Sequence, residues 1–310
     1  MFVCALLTAH DLSAEPYAFI SNQLDNSVSV VNTNAQEVIK TITVTGKPVG
    51  IAVNDIKSQV YISTPNGGGF AVLDSKKLEK IRDVAVGGAS LGIAVGVNGE
   101  RIFVADWYEN TVSVFNSDGF KLIKTLKVGK SPSGMMVSFD NRWLYVANRV
   151  DNTISQIDLQ KLKVRNTTKV GEHPFGLSVN KKGERVYTAN VESDDVTILE
   201  TSHLKKLATV KVGSRPYATS LALNDSLLFV TNQDDSTVSV IDTATLKVVS
   251  VIEVGEKPEG ISTHPDDRHV YVANWFDSTV SVIDAKTLKV INTIETGEGS
   301  RAFGLFITNN

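Results

Sequence analysis

Lys47, His173, Arg215 and Lys257 stand 42 residues apart or at whole multiples of 42; Arg301 falls two residues beyond the same phase, and Arg149 belongs to another column of the interval, expected close by on the same face. Basic side chains spaced in this way suit one kind of chemistry. If the chain carries them to a common rim, they form a receptor for an anionic small molecule or for the acidic surface of a partner protein. Glu172, Glu256 and Glu259 occur beside them, so the competing expectation is a set of polar turns that neutralise one another. Phe175 and Tyr217 follow His173 and Arg215 by two residues, in the column that also holds Glu259 and Arg301. Trp107-Tyr108 and Trp275-Phe276 put paired aromatics in another column of the same interval. Large aromatics in turns are expected at interfaces, or else packed over the adjoining unit to close a rim.

Other chemistries find less support. With Cys4 as the single cysteine, no intrachain disulfide can form and neither a cysteine-based zinc site nor a c-type haem site is expected. Of five histidines only His173 shares the phase of the basic column, and no metal site or cofactor follows from their spacing. Asp25, Glu109, Asp151, Asp235 and Asp277 recur in five units, whereas a catalytic acid should occur once; they are expected to hold backbone N–H groups in turns. Gly67-Gly-Gly69 replaces a turn in its unit and opens no phosphate-binding helix. No nucleophile, base and orienting residue come together in the sequence, so no catalytic residue is assigned. A net charge of −3 and a pI near 6.0 argue against a general affinity for nucleic acid.

The interval belongs to a repeat. Asn22, Thr64, Asp106, Asn148, Asn190, Asn232 and Asn274 are evenly spaced, and passages such as Tyr271-Val-Ala-Asn274 lead into Thr279-Val-Ser-Val-Ile-Asp284. Each unit reads as four short strands in which β-branched and aromatic residues alternate with polar ones, separated by Gly, Asn, Asp and Pro. That is the make-up of a propeller blade, so the expected fold is all-β: a seven-bladed propeller over residues 17–310. The chain enters on second-strand material at Ala18 and leaves on first-strand material, Ala302 to Ile307. The last strand is therefore expected to complete the first blade, burying Phe303, Leu305 and Ile307. Gly50, Gly92, Gly134, Gly176 and Gly260 are expected in tight turns into a crowded inner strand. Met1 to Leu7 is an apolar run followed by Leu12-Ser-Ala-Glu-Pro16, so residues 1–16 read as a truncated signal peptide or a disordered tail. No later segment is apolar for long enough to span a bilayer as a helix.

Tyr145-Val-Ala-Asn148, Phe229-Val-Thr-Asn232 and Val254-Gly-Glu-Lys-Pro-Glu-Gly260 resemble the YVTN family of β-propeller proteins, and the likeness runs from residue 18 to 310. The resemblance implies the fold strongly and the activity weakly. YVTN propellers are similar to surface-layer and periplasmic proteins, and some accompany quinone-cofactor oxidation pathways; the ending Ser300-Arg-Ala-Phe-Gly304 looks like the group associated with pyrroloquinoline-quinone-dependent catabolism. The resulting expectation is a periplasmic or secreted, monomeric, non-catalytic propeller that binds a partner protein or small anion at the channel mouth. The binding residues would be Trp107, Tyr108, Arg149, His173, Phe175, Arg215, Tyr217, Lys257, Glu259, Trp275, Phe276 and Arg301. The alternatives are an oxidoreductase subunit, a lactonase or lyase acting on an anionic substrate in the channel, and a DNA-binding propeller.

Overall fold

The structure, a computed structural model, describes residues 16–309. The apolar run from Met1 and the cleavage-like passage as far as Glu15 lie outside the described residues. Six four-stranded antiparallel blades occupy 50–85, 90–127, 132–169, 174–211, 216–253 and 258–295, and a seventh is assembled from both ends of the chain. Second and third strands such as His269–Asn274 and Thr279–Asp284 are buried almost throughout, because an adjoining blade covers each face. Outer strands such as Glu79–Ala85 are mostly exposed. The apolar core accordingly lies between blades: Phe103, Val112 and Leu126 of one pack with Met135, Leu144 and Ile157 of the next.

The recurrent asparagine clamps the turn that follows it. Asn22, Asn148, Asn190, Asn232 and Asn274 each donate two bonds of 2.7–3.0 Å from Nδ2 to residues five and seven places on, such as Ser27 and Ser29. The acidic column does what the repetition implies in four units. One carboxylate oxygen each of Asp25, Asp151, Asp235 and Asp277 accepts a backbone N–H, from Glu298, Lys130, Ser214 and Glu256 respectively, at 2.6–2.8 Å. Glu109 departs from this, because Asp106 accepts the N–H groups of Tyr108 and Glu109 in its turn.

The repeated glycines serve a different purpose from the one their position in the sequence implies. None of the five adopts a positive φ; a Cβ at Gly92 would lie 1.9 Å from the Ser133 carbonyl oxygen, and one at Gly134 2.3 Å from that of Phe175. They let the inner strands of successive blades approach backbone to backbone around the axis.

Ring closure follows the expected plan with an added contact. Strands β1 (Tyr17–Asn22), β2 (Ser27–Asn32) and β3 (Glu37–Thr43) form three-quarters of the first blade. The C-terminal segment runs antiparallel beside β1, with bridges Ser300 to Asn22 and Ile307 to Ala18 and a 2.8 Å bond from the Phe19 N–H to the Phe306 carbonyl. Between these points Phe303–Leu305 swings across to pair in parallel with β4 (Gly50–Asn54) of the next blade. Gly304, at φ +108°, makes that excursion and breaks the side-chain alternation. Phe303, Phe306 and Ile307 are buried, but Leu305 is 50% exposed, contrary to the expectation from the repeat. Among the described residues no helix is long and apolar enough to cross a membrane.

Candidate functional site

Two sets of loops meet on one rim. The backbone N–H groups of Gln23, Trp107, Arg149, Val191, Gln233 and Trp275 donate to the carbonyls of Gly299, Ala89, Ser131, His173, Arg215 and Lys257 at 2.9–3.1 Å. The basic column is held in a costly conformation: Lys47, Ser131, His173, Arg215 and Lys257 are all left-handed, with φ of 51–57°. Non-glycine residues adopt that region at a cost of about 1–3 kcal/mol unless their surroundings enforce it. Here a side-chain oxygen in the turn of the preceding blade holds the N–H, as Asn152 does for His173 and Asp194 for Arg215, both at 2.8 Å. A proline follows each of the five and fixes the departure into the inner strand.

On this rim the charges alternate. Glu192 receives Arg215 at 2.9 Å, with His173 at 3.7 Å and Arg149 at 3.9 Å. Asp234 receives Lys257 at 2.7 Å and faces Arg215 at 3.8 Å. Nearer the axis Arg301 contacts Glu259 at 2.5 Å and donates to the Tyr217 hydroxyl at 2.6 Å and to Gln23 Oε1 at 3.2 Å, while Gln233 donates to Glu259 at 2.7 Å. Burial pushes the Glu259 carboxyl above the ordinary carboxylate range, against the pull of Arg301 and Gln233. For Arg301 burial acts downward, but Tyr217 and Glu259 outweigh it and hold the guanidinium charged.

Arg149 differs from its neighbours. Its guanidinium lies 5.9 Å from the Trp107 ring and 6.0 Å from that of Phe175. It makes no side-chain hydrogen bond among the described residues, and the carboxylate it faces is already taken by Arg215. Burial pulls its pKa below the usual arginine value, with Tyr217 and Glu192 opposing that effect and Arg215 and Arg301 reinforcing it. Beside it, His173 Nδ1 is enclosed and has no hydrogen-bond partner among the described residues.

The structure thus brings Arg149, His173, Arg215, Lys257, Glu259 and Arg301 to one mouth, but it relocates the aromatics expected there. Phe175 and Tyr217 do not present a ligand surface. They are buried, stack at 4.0 Å between ring centroids and, with Phe303 set edge-on at 5.3 Å, plug the channel beneath the rim. Trp107 packs against this plug, and Trp275 donates from Nε1 to Gln23 at 3.2 Å, so both tryptophans face inward. Tyr108 and Phe276 stand outside at 75% and 65% exposure. Glu192, Asp234, Gln23 and Gln233, which complete the network, were not singled out from sequence as site residues. They occupy the same two variable columns as the aromatics, and that variety was the available signal.

At the opposite end the channel opens into a recess of about 370 Å³ lined by the inner strands. On that face His264, Asp266 and His269 come together with their ligand atoms within 4.8 Å. The cluster is satisfied internally: Asp266 accepts the N–H groups of Arg268 and His269 and contacts His269 Nδ1 at 2.5 Å, and His264 Nδ1 accepts the Asp266 N–H.

The fold and the repeat define a seven-bladed β-propeller repeat protein. Residues 93–202 match the family model described as lactonase, 7-bladed β-propeller, and residues 218–297 match that of the YNCE-like β-propeller. No curated protein matches the chain. Among solved structures it is similar to the hydrazine synthase of Kuenenia stuttgartiensis, with TM-score 0.78 and 19% identity over 86% of this chain and 91% of that one. A functionally unknown protein from Desulfotomaculum acetoxidans DSM 771 gives TM-score 0.80 and 14% identity over 93% and 99% of the two chains. Dihydro-heme d1 dehydrogenase NirN, solved in complex with DHE, gives 0.70 and 13% over 92% and 74%. At these identities the likeness is one of fold.

Proposed function

We propose that this propeller is an exported binding protein that captures an anionic small molecule or an acidic protein group at the rim, with Arg149 as its principal contact. The observation that carries this is the state of the Arg149 guanidinium: half-buried, flanked by Trp107 and Phe175, and without a hydrogen-bonded acceptor in the described chain. A desolvated guanidinium gains most from an acceptor that brings its own negative charge, and its planar fork suits a carboxylate. His173 Nδ1 and Arg215 stand beside it to complete the contact. In a thermal-shift screen of carboxylate and phosphate ligands followed by calorimetry, Arg149→Ala should weaken binding by about 1.5–3 kcal/mol per charged hydrogen bond lost. Lys161→Ala, in a turn on the opposite face, should leave binding unchanged. Equal effects from both substitutions would reduce the contact to general charge attraction, and no effect from Arg149→Ala would overturn the reading. Export is tested by fusing the upstream sequence to a reporter active only outside the cytoplasm; a cytoplasmic product retaining Phe2 to Ala14 would contradict it.

A second reading rests on the lactonase match, which spans Trp107, Arg149, His173 and Glu192. In it, Arg149 holds the carbonyl oxygen of an anionic lactone while His173, oriented by Glu192, takes a proton from water. The hydroxide adds to the carbonyl carbon, the ring C–O bond breaks, and the alkoxide recovers the proton. Base uptake with a panel of sugar lactones, lost in both His173→Ala and Arg149→Ala, would favour it over binding alone.

A further inference from the structure

The recess at the lower end of the channel is independent of the rim. The packed rings of Phe175, Tyr217 and Phe303 lie between it and the rim, and residues of the strand-one-to-two hairpins such as Lys181, Asp225 and Asp267 border its outer end. Its wall is largely apolar, built from Ile93, Met135, Leu177, Ile261 and Phe303. A second recess of about 330 Å³ adjoins it and shares Met135, Met136, Phe139 and Leu305. Phe139 and Leu305 stand at 48% and 50% exposure on the shared border, forming an apolar entrance. Volumes of this order, apolar with a few convergent polar groups, are those of small-molecule sites.

The charge at the entrance is predominantly negative. Asp55, Asp225 and Asp267 border the chamber and Lys181 is the one lysine among them; Lys181 is engaged by Asp267 at 3.0 Å. Asp225 receives the Lys181 N–H at 2.6 Å, and Asp55 is held by the Asn309 N–H at 3.0 Å. Among the described residues, neither Asp55 nor Asp225 has a cationic side chain within ion-pair distance. His264 lines the chamber with its Nδ1 beside the Asp266 N–H and 3.1 Å from the Asp266 carboxylate, and its Nε2 lies 3.2 Å from the Thr33 hydroxyl, which itself donates to the Pro16 carbonyl. An apolar pocket whose mouth carries uncompensated carboxylates selects a ligand with an apolar body and a cationic head.

We infer that the lower chamber is a binding site for an amphiphilic cation, whose apolar part enters between Met135, Leu177, Ile261 and Leu305 and whose ammonium group rests against Asp225, with Asp267, shared with Lys181, beside it. The two ends of the channel are thus built for opposite charges, and this site does not depend on the rim being functional.

Calorimetry on the full chain carrying Arg149→Ala, which removes the carboxylate contact proposed at the rim, with 4-phenylbutylammonium, 4-phenylbutanoate and 4-phenylbutanol, near-isosteres that differ in head-group charge, tests the assignment. The cation should bind at least ten-fold more tightly than the anion, with the alcohol between them. Asp225→Asn and Asp267→Asn keep residues that tolerate the left-handed turn, at φ of 63° and 59°, and each should weaken the cation several-fold while sparing the alcohol. Lys181→Gln should tighten it, because Asp267 is then freed. Leu305→Trp, at a half-exposed position, should block the cation and the alcohol, and restoring Arg149 should leave the affinities of both unchanged. Failure of every probe to bind at millimolar concentration, equal affinity for cation and anion, or full binding by Leu305→Trp would each overturn the proposal.

Discussion

Arg301 and Glu259 are taken out of water together, their side chains 20% and 6% exposed, and each depends on the other for compensation. Removing one partner of such a pair leaves the other buried and uncompensated, which costs about 3–5 kcal/mol, whereas an exposed pair contributes about 1 kcal/mol or less. Arg301→Ala should therefore lower stability by several kcal/mol in denaturant unfolding. Lys257→Ala, which breaks an exposed contact with Asp234, should change it little. If the two substitutions cost the same, Arg301 is not a structural ion-pair partner, and its contacts with Tyr217 and Gln23 are incidental. The same comparison separates the two roles of the rim: Arg301 and Glu259 hold its floor, while Arg149 is left free to meet a ligand.

At the scale of the strand, the inner strands limit how closely the blades can approach. Gly92→Ala places a Cβ against the main-chain oxygen of Ser133, a contact no rotamer change can relieve, so a loss of about 1–3 kcal/mol or more is expected in a thermal or denaturant melt. The blade with Ala218 in the same column already accommodates the methyl group, and Ala218→Gly should cost only about 0.5–1 kcal/mol. Equal losses from both changes would refute close approach as the reason for these glycines. Much of this level was legible in the sequence: the even spacing from Asn22 to Asn274 gives the strands, the blade count and the placement of both loop columns on one rim. What the spacing does not carry is direction near the axis. Phe175 and Tyr217 occupy the expected column, but whether they rise to the rim or meet across the channel depends on how seven strands converge. Leu305 and Phe306 exchange roles because Gly304 breaks an alternation that the one-dimensional pattern presents as continuous. The lower chamber left no mark for a related reason, since its wall is made of small and aliphatic strand residues that read as ordinary filling.

The molecule as a whole depends on one short closure. Phe303, Phe306 and Ile307 are buried, and at about 1.5–3 kcal/mol for each large apolar side chain their removal approaches the ~5–15 kcal/mol that stabilises an ordinary domain. Deleting residues 302–310 should abolish the cooperative melt or lower its midpoint by many degrees; a truncated chain melting within a degree or two of full length would mean that the ring does not need its clasp. That clasp also imposes an order in time. Tyr17 bonds to Thr308 across a separation of 291 residues, so during synthesis β1 has no inner partner until the last residues emerge. At roughly 5–20 residues per second this is a wait of about 15–60 s, during which the unpaired edge of β1 is open to other strands. A ribosome making this protein therefore releases six blades able to form as they appear and one that cannot, and the nascent chain needs shielding at its beginning for as long as its end is unfinished.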